Sequence, residues 1–424
     1  MSSKYVVRGL LSLFLGIGTQ VLLGREARAA FANYNSILIG DQAAGMGGAY
    51  TAMANDASAM AYYNPAGLAF LEGHTFSAAV GIYKKFDTTF GKEEDFTKAP
   101  LRMNQGFFRA IPSSTGSVIK KGDYSLAFSI VVPDFDNYKG DLRAGSDNTT
   151  TLSYVDESLW VGGAVAKKIS ETESLGLTMY YTARSYSRSL NDRSFPTVTE
   201  AILFNSEKTL VENAVVAVLG YHLNLSENWS FGASLRTPNL SVKGMGSYFS
   251  SQVTTNPYSV TSVNLPDERT NVRIPGKLAI GIAYRDVDDF TISADATLYQ
   301  GLEYDDFNNQ SFTTHFIHRQ TWNLAAGAEK KVMPWLKVRA GVFTNFSSHP
   351  TPDPSLNVSQ PDKIDQMGFS ANAVFVSGDK IDYTFGGYYT GGRGKSIQQI
   401  NQNAEEVIVT QHVFTMLVGT AFSF

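Results

Sequence analysis

From His74 onward the chain is a succession of runs in which large apolar residues alternate with small or polar ones. A period of two puts the two sets on opposite faces of a strand. Tyr124, Leu126, Phe128, Ile130 and Val132 alternate with Ser125, Ala127, Ser129 and Val131. Leu175, Leu177, Met179 and Tyr181 alternate with Gly176, Thr178, Tyr180 and Thr182. The pattern predicts about fourteen strands, beginning near residues 74, 101, 123, 151, 174, 210, 229, 270, 290, 315, 335, 365, 380 and 406. The connections at one end are mostly tight, as at Ser226-Glu227-Asn228. Those at the other end, among them 133–150, 188–209, 242–269 and 391–405, are longer and rich in Gly, Pro, Asn, Ser and charge. This asymmetry is that of a barrel in an outer membrane. Lipid offers no hydrogen-bond partner to an open sheet edge, so the sheet must close on itself. The expected fold is therefore all-β: a transmembrane antiparallel up-and-down β-barrel. An even strand count puts both termini on the short-turn side, which would be the periplasm.

The ends of the chain agree. Lys4 and Arg8, a short apolar stretch from Leu10 to Leu23, and Ala27-Arg28-Ala29 form the pattern of a cleaved export signal over residues 1–29. The apolar stretch is shorter than the ~20 residues that span a bilayer as a helix. At the other end Phe414, Met416, Val418, Thr420 and Phe422 alternate with smaller residues, and the chain ends on Phe424. Trp229, Tyr284, Phe290 and Trp335 stand near strand ends, where an interfacial girdle would need them. Charged residues are only 17% against the ~25% of soluble domains. The net charge of −4 lacks the basic excess of a nucleic-acid binder. With no cysteine there is no disulfide framework and no thiol nucleophile.

Residues 30–73 do not alternate, and their small residues permit tight packing and irregular backbone. The segment is too short for a core of its own. Its economical place is inside the barrel, as a plug, which gives three parts: 1–29 signal, 30–73 plug and 74–424 barrel. Gly45-Met46-Gly47-Gly48-Ala49-Tyr50-Thr51-Ala52 and Asn64-Pro65-Ala66-Gly67-Leu68 resemble the N-terminal hatch of the FadL/TodX outer-membrane transporters. Leu235-Arg236-Thr237-Pro238 and Ile274-Pro275-Gly276-Lys277-Leu278 resemble two internal segments of the same family. The hatch is also similar to the start of PorV-type barrels of a secretion system, so a structural adaptor barrel is the alternative. The internal segments point to the fatty-acid branch. That resemblance implies a passive channel for hydrophobic compounds, with long-chain fatty acids as best-known substrates. It implies capture by external loops, an apolar lumenal pocket, and lateral release into outer-membrane lipid beside a kinked strand.

The inward parity offers Arg184, Arg188, Arg236, Lys277 and Arg339. A fatty-acid carboxylate in an apolar lumen needs a cation, because an unpaired buried charge is expensive. Arg184, Lys277 and Arg339 are the expected headgroup ligands; the competing reading pairs them with lumen acids such as Asp295 and Glu329. Asn64, Pro65 and Ala66 are the expected hatch element nearest the ligand path. Pro133 is either a wall kink or an ordinary strand-end proline. Gly391 to Ser396 contains Gly-Lys-Ser, but Tyr389 stands where a phosphate loop needs glycine, so an external loop is expected there. The histidines form no helical metal pair, there is no Gly-x-Ser-x-Gly, and neither catalysis, a metal nor a cofactor is expected.

Overall fold

A computed structural model describes residues 31–423, apart from residues 55, 72, 92–100, 104–108, 145–147, 198, 287–289, 309–312, 357–359, 379–380 and 401–402. The export signal expected over residues 1–29 lies outside the described residues, as does Phe424. The leading segment holds α1 (Asp41–Gly45), α2 (Ala57–Tyr63) and a 3-10 turn (Pro65–Phe70). The strands follow as β1 (Thr75–Gly91), β2 (Leu101–Met103), β3 (Arg109–Lys121), β4 (Tyr124–Ala144), β5 (Asn148–Lys168), β6 (Glu173–Thr197) and β7 (Glu200–Asn224). Next come β8 (Trp229–Arg236), β9 (Leu240–Thr255), β10 (Tyr258–Glu268), β11 (Lys277–Arg285), β12 (Phe290–Tyr299), β13 (Leu302–Asp305) and β14 (His315–His318). The last are β15 (Thr321–Met333), β16 (Leu336–Asn345), β17 (Gln360–Ser377), β18 (Ile381–Ile400) and β19 (Asn403–Ser423).

The wall is a closed 14-strand antiparallel barrel. Its staves are β1, β3 to β8, β11, β12 and β15 to β19. β1 closes it, pairing with β3 on one side and with β19 on the other, from Thr75↔Ser423 to Gly91↔Ile408. The distribution of side chains is inverted relative to a soluble protein. On β11, Leu278, Ile280 and Ile282 are 47%, 48% and 42% exposed, while Lys277, Ala279, Gly281 and Ala283 are buried. Lipid is the solvent that rewards this arrangement. Trp229 packs on Tyr284 with ring centroids 5.0 Å apart, and Trp335 on Phe375 at 6.1 Å, at the short-turn end.

Several staves outlast the bilayer. β6 and β7 are 25 residues each, whereas a tilted spanning strand needs ~9–11. Along β6 the outward residues change from Leu175, Leu177, Met179 and Tyr181 to Ser185, Ser187 and Ser189, and there the strand leaves the hydrocarbon. The stretches 133–150, 188–209 and 391–405 are therefore mostly strand, not loop. Pairing runs out to Ala144↔Asn148, Thr197↔Glu200 and Ile400↔Asn403. Residues 242–269 hold most of the β9–β10 hairpin, and Gly391 to Ser396 lies within β18. Above the lipid neither face needs large apolar residues, so the period of two fades while the backbone ladder continues.

Three strand starts also differ from expectation. Residue 101 opens only the three-residue β2, and the stave proper is β3, from Arg109. Residues 270–276 are irregular and the stave begins at Lys277. His315 opens a short hairpin partner of β13, and the stave is β15, from Thr321. Pro133 sits inside β4, not at its end. Between Val131↔Trp160 and Asp134↔Ser158, β4 has one residue more than β5, and the pairing of β4 with β3 stops at Ser114↔Val131. A residue without an N–H at a bulge ends a ladder in this way.

Candidate functional site

The described residues between 31 and 71 occupy the lumen. Ala43, Ala59, Ala61, Ala66 and Leu68 are fully buried. The backbone of this hatch lies directly on the wall, which is possible only where the wall lacks side chains. Gly176 and Gly220 are register partners on β6 and β7, and a Cβ on either would overlap Asn64, Pro65 or Ala66. Polar wall residues meet the hatch backbone. Ser174 Oγ donates to Ala66 O at 2.8 Å and Thr178 Oγ1 to Ala61 O at 2.8 Å. Asp295 Oδ2 accepts from the N–H groups of Tyr50 and Thr51, both at 2.8 Å. Asp56 caps α2, accepting from Ser58 N at 2.9 Å and from Ser77 Oγ at 2.9 Å. Burial, and then the neighbouring Asp41, raise the pKa of the Asp56 carboxyl.

Asn64 is the pin of this seat. Its Nδ2 donates to Thr51 O at 2.7 Å and Tyr221 O at 2.9 Å, and its Oδ1 accepts from Ala66 N at 3.2 Å. Asn64, Pro65 and Ala66 thus press against the wall near the turn at 169–172. They do not line the space around Lys277, which is bounded by Tyr34, Thr51, Tyr62, Tyr63, Tyr299 and their neighbours.

The expected lumen cations fall into two kinds. Arg184 on β6 is bound to Asp156 by two bonds, Nε to Oδ1 at 2.9 Å and Nη2 to Oδ2 at 2.6 Å. Its guanidinium also lies 4.7 Å from the Phe31 ring. Arg339 on β16 is paired with Glu329, its register partner on β15. Lys277 is different. Asp295, the lumen acid that the sequence offered as its partner, binds the hatch backbone instead. Lys277 Nζ stands over the rings of Tyr62 and Tyr63, 5.0 and 5.6 Å from their centroids. Among the described residues no carboxylate lies within ion-pair distance of it.

A second cation stands beside it. Arg236 on β8 is the register partner of Lys277. Its guanidinium lies 5.4 Å from the Trp160 ring and 6.0 Å from that of Tyr299, and its Nη2 donates to Pro275 O at 3.0 Å. Its Nε is buried without a partner, and it too has no ion pair among the described residues. Sequence parity placed Arg236 in the lumen but could not place it next to Lys277, because the two are 41 positions apart and the β9–β10 hairpin intervenes.

The start of the described chain threads past this pair. Tyr34 stacks on Tyr299 at 4.6 Å, Asn33 Nδ2 donates to Asn345 O at 2.6 Å, and Asn35 N donates to Asn345 Oδ1 at 2.9 Å. Ser348, in the long connection after β16, donates from its N–H to Ala32 O at 2.9 Å. Residue 31 thus lies in the lumen toward the long connections, not at the short-turn end where Thr75 and Ser423 meet. Strand parity fixes the start of β1 and is silent on what precedes it. With this segment in place the cavity around Lys277 is about 20 Å³, room for roughly one water.

The barrel has the shape of known outer-membrane channels. The monoaromatic hydrocarbon channel CymD superposes with a TM-score of 0.66 at 15% identity, over 92% of this chain and 99% of that one. A FadL homologue from Pseudomonas aeruginosa gives 0.61 at 15% identity, over 93% and 100%. The toluene transporter TodX of P. putida gives 0.62 at 13% identity, over 91% and 98%. A search of curated protein sequences returned no significant match. Residues 26–424 match the family model described as outer membrane protein transport protein (OMPP1/FadL/TodX). A hatch seated on wall glycines inside a closed barrel and a family match over nearly the whole length lead to one conclusion: the chain belongs to the OMPP1/FadL/TodX family of outer-membrane transport proteins.

Proposed function

We propose that the protein is a passive channel for hydrophobic compounds and that long-chain fatty acids are its substrates, with the carboxylate held by Lys277 and Arg236. The observation that carries this reading is the pair itself: two buried, adjacent cations with no carboxylate within ion-pair distance among the described residues. Such an arrangement is costly when empty and favours an incoming anion. The tyrosines and Trp160 around it supply an apolar wall for the first methylenes, each worth roughly 0.8 kcal/mol on leaving water. Neutral hydrocarbons, the cargo named for the CymD and TodX channels, would leave both charges unanswered. Arg184 and Arg339, whose charges are paired with Asp156 and Glu329, hold the wall together in this reading.

The short-turn end faces the periplasm in this proposal, and the long strands rise from the cell surface. The discontinuity at Pro133 supports lateral release: among the described residues β3 and β4 have no register pair beyond Ser114↔Val131, so parting them there breaks no described ladder. The test is binding of a fluorescent long-chain fatty acid to the detergent-solubilised protein. Lys277→Ala and Arg236→Ala should each weaken binding by roughly 10- to 100-fold. Unchanged affinity in both variants would refute the assignment.

A further inference from the structure

We infer that the outer face of the wall carries a binding site for an anionic phospholipid at the short-turn end. Lys121 on β3, Tyr124 on β4 and Lys167 on β5 are direct register partners: Lys121↔Tyr124 and Tyr124↔Lys167. All three are exposed, and Lys167 Nζ lies 5.0 Å from the centre of the Tyr124 ring. Neither lysine has a carboxylate within ion-pair distance among the described residues; Asp123, in the intervening turn, pairs with neither. Two free ammonium groups flanking a phenol form a cradle for a phosphate at the level where a membrane has its headgroups.

An apolar groove of about 550 Å³ leads away from this cradle along the lipid-facing wall. Val165, Leu177, Leu219 and Leu235 stand along it, and it ends at Leu278 on β11. From β5 to β11 it crosses four strand spacings, roughly 20 Å, which suits one acyl chain. Its floor includes Gly176 and Gly220, the same glycines on which the hatch rests from inside. A soluble anion has no reason to lie in such a groove, and a neutral hydrocarbon has no use for the lysines. A molecule with an anionic head and an acyl tail uses both.

The position also links this lipid to the hatch. The residues next to the two lysines point inward on the same strand ends. Lys120 Nζ donates to Ala69 O at 2.6 Å, and Lys168 Nζ lies 4.9 Å from the Phe70 ring. The strand ends that hold the lipid outside hold the last turn of the hatch inside.

The test is native mass spectrometry of the purified protein in mild detergent, titrated with phosphatidylglycerol, phosphatidylethanolamine or oleate. The wild type should retain phosphatidylglycerol in preference to the other two. The double variant Lys121→Gln/Lys167→Gln should weaken that retention by roughly tenfold or more. Val165→Trp, which fills the groove and leaves both lysines in place, should weaken it as well. Equal retention of phosphatidylglycerol by wild type and both variants would overturn the proposal. So would equal retention of phosphatidylethanolamine, which would show the lysines to be irrelevant, or preferential uptake of oleate, which would make the groove a substrate path.

Discussion

In the short-turn half of the lumen the wall meets the hatch with matched groups. Ser174, Thr178 and Asp295 each answer a backbone carbonyl or N–H, and Gly176 and Gly220 make room for the chain itself. Farther out, level with Tyr62 and Tyr299, the same wall presents Lys277 and Arg236 to aromatic rings and to no acid among the described residues. The two regions are equally buried, so burial does not separate them. What separates them is what the wall offers: at the seat its hydroxyls and the Asp295 carboxylate bind the hatch backbone, although Asp295 Oδ1 and Asp56 Oδ2 stay without a partner, whereas the two cations have no acid within ion-pair distance among the described residues. A region that binds the hatch is a seat; a region left charged and unanswered is where a ligand gains most by arriving.

That contrast can be broken experimentally, and the largest effect is expected at the seat. Gly176→Val drives a side chain into the hatch backbone, at a cost of roughly 4 kcal/mol or more if the hatch stays put. The hatch should yield instead, and planar-bilayer recordings should show a steady ion current that the wild type lacks. A silent barrel would mean that the seat is not what keeps the lumen shut. Arg339→Ala comes next. It strands Glu329 beside the lumen, and losing one partner of such a pair costs about 3–5 kcal/mol. Thermal unfolding in detergent should fall clearly, while fatty-acid affinity should stay close to wild type. A large loss of affinity without a loss of stability would return Arg339 to the headgroup site.

Asp295→Asn sharpens the comparison. The carboxylate serves Tyr50 and Thr51, so weakening it should cost about 1–2 kcal/mol and raise ion leakage modestly. Fatty-acid binding should hardly change; if it collapses, Asp295 belongs with Lys277 after all. The smallest effect is expected at Lys395→Ala. That residue pairs with Glu406 at 2.7 Å on the exposed outer extension, and such surface pairs contribute less than about 1 kcal/mol. No change in unfolding temperature should be seen.

The sequence carried the barrel because lipid imposes a strict pattern. Every hydrocarbon-facing position must be apolar, so β11 and the inner part of β6 could be read directly from Leu278, Ile280 and Ile282 or Leu175, Leu177 and Met179. Where that pressure ends, legibility ends with it: Ser189, Asn191 and Arg193 fall in the expected connection 188–209 and are strand. The hatch was recognisable through its glycines and Asn64-Pro65-Ala66, but motif similarity does not say what a motif touches. Asn64 turned out to pin the hatch to the wall, away from the space around Lys277. Parity named the lumen cations without saying which were already paired. Arg184 and Asp156 are 28 residues apart, and Glu329 and Arg339 10 apart, so only the register between staves joins them. The same register brings Arg236 beside Lys277 across the β9–β10 hairpin.

The central claim is that this pair reads negative charge. Equilibrium binding of a long-chain fatty acid and of the alcohol of equal length, compared in wild type and in Lys277→Met/Arg236→Met, tests it most directly. The wild type should prefer the acid by roughly tenfold or more, and the double variant should bind acid and alcohol alike. Equal binding of the two by the wild type, or an acid preference that survives the double substitution, would contradict it.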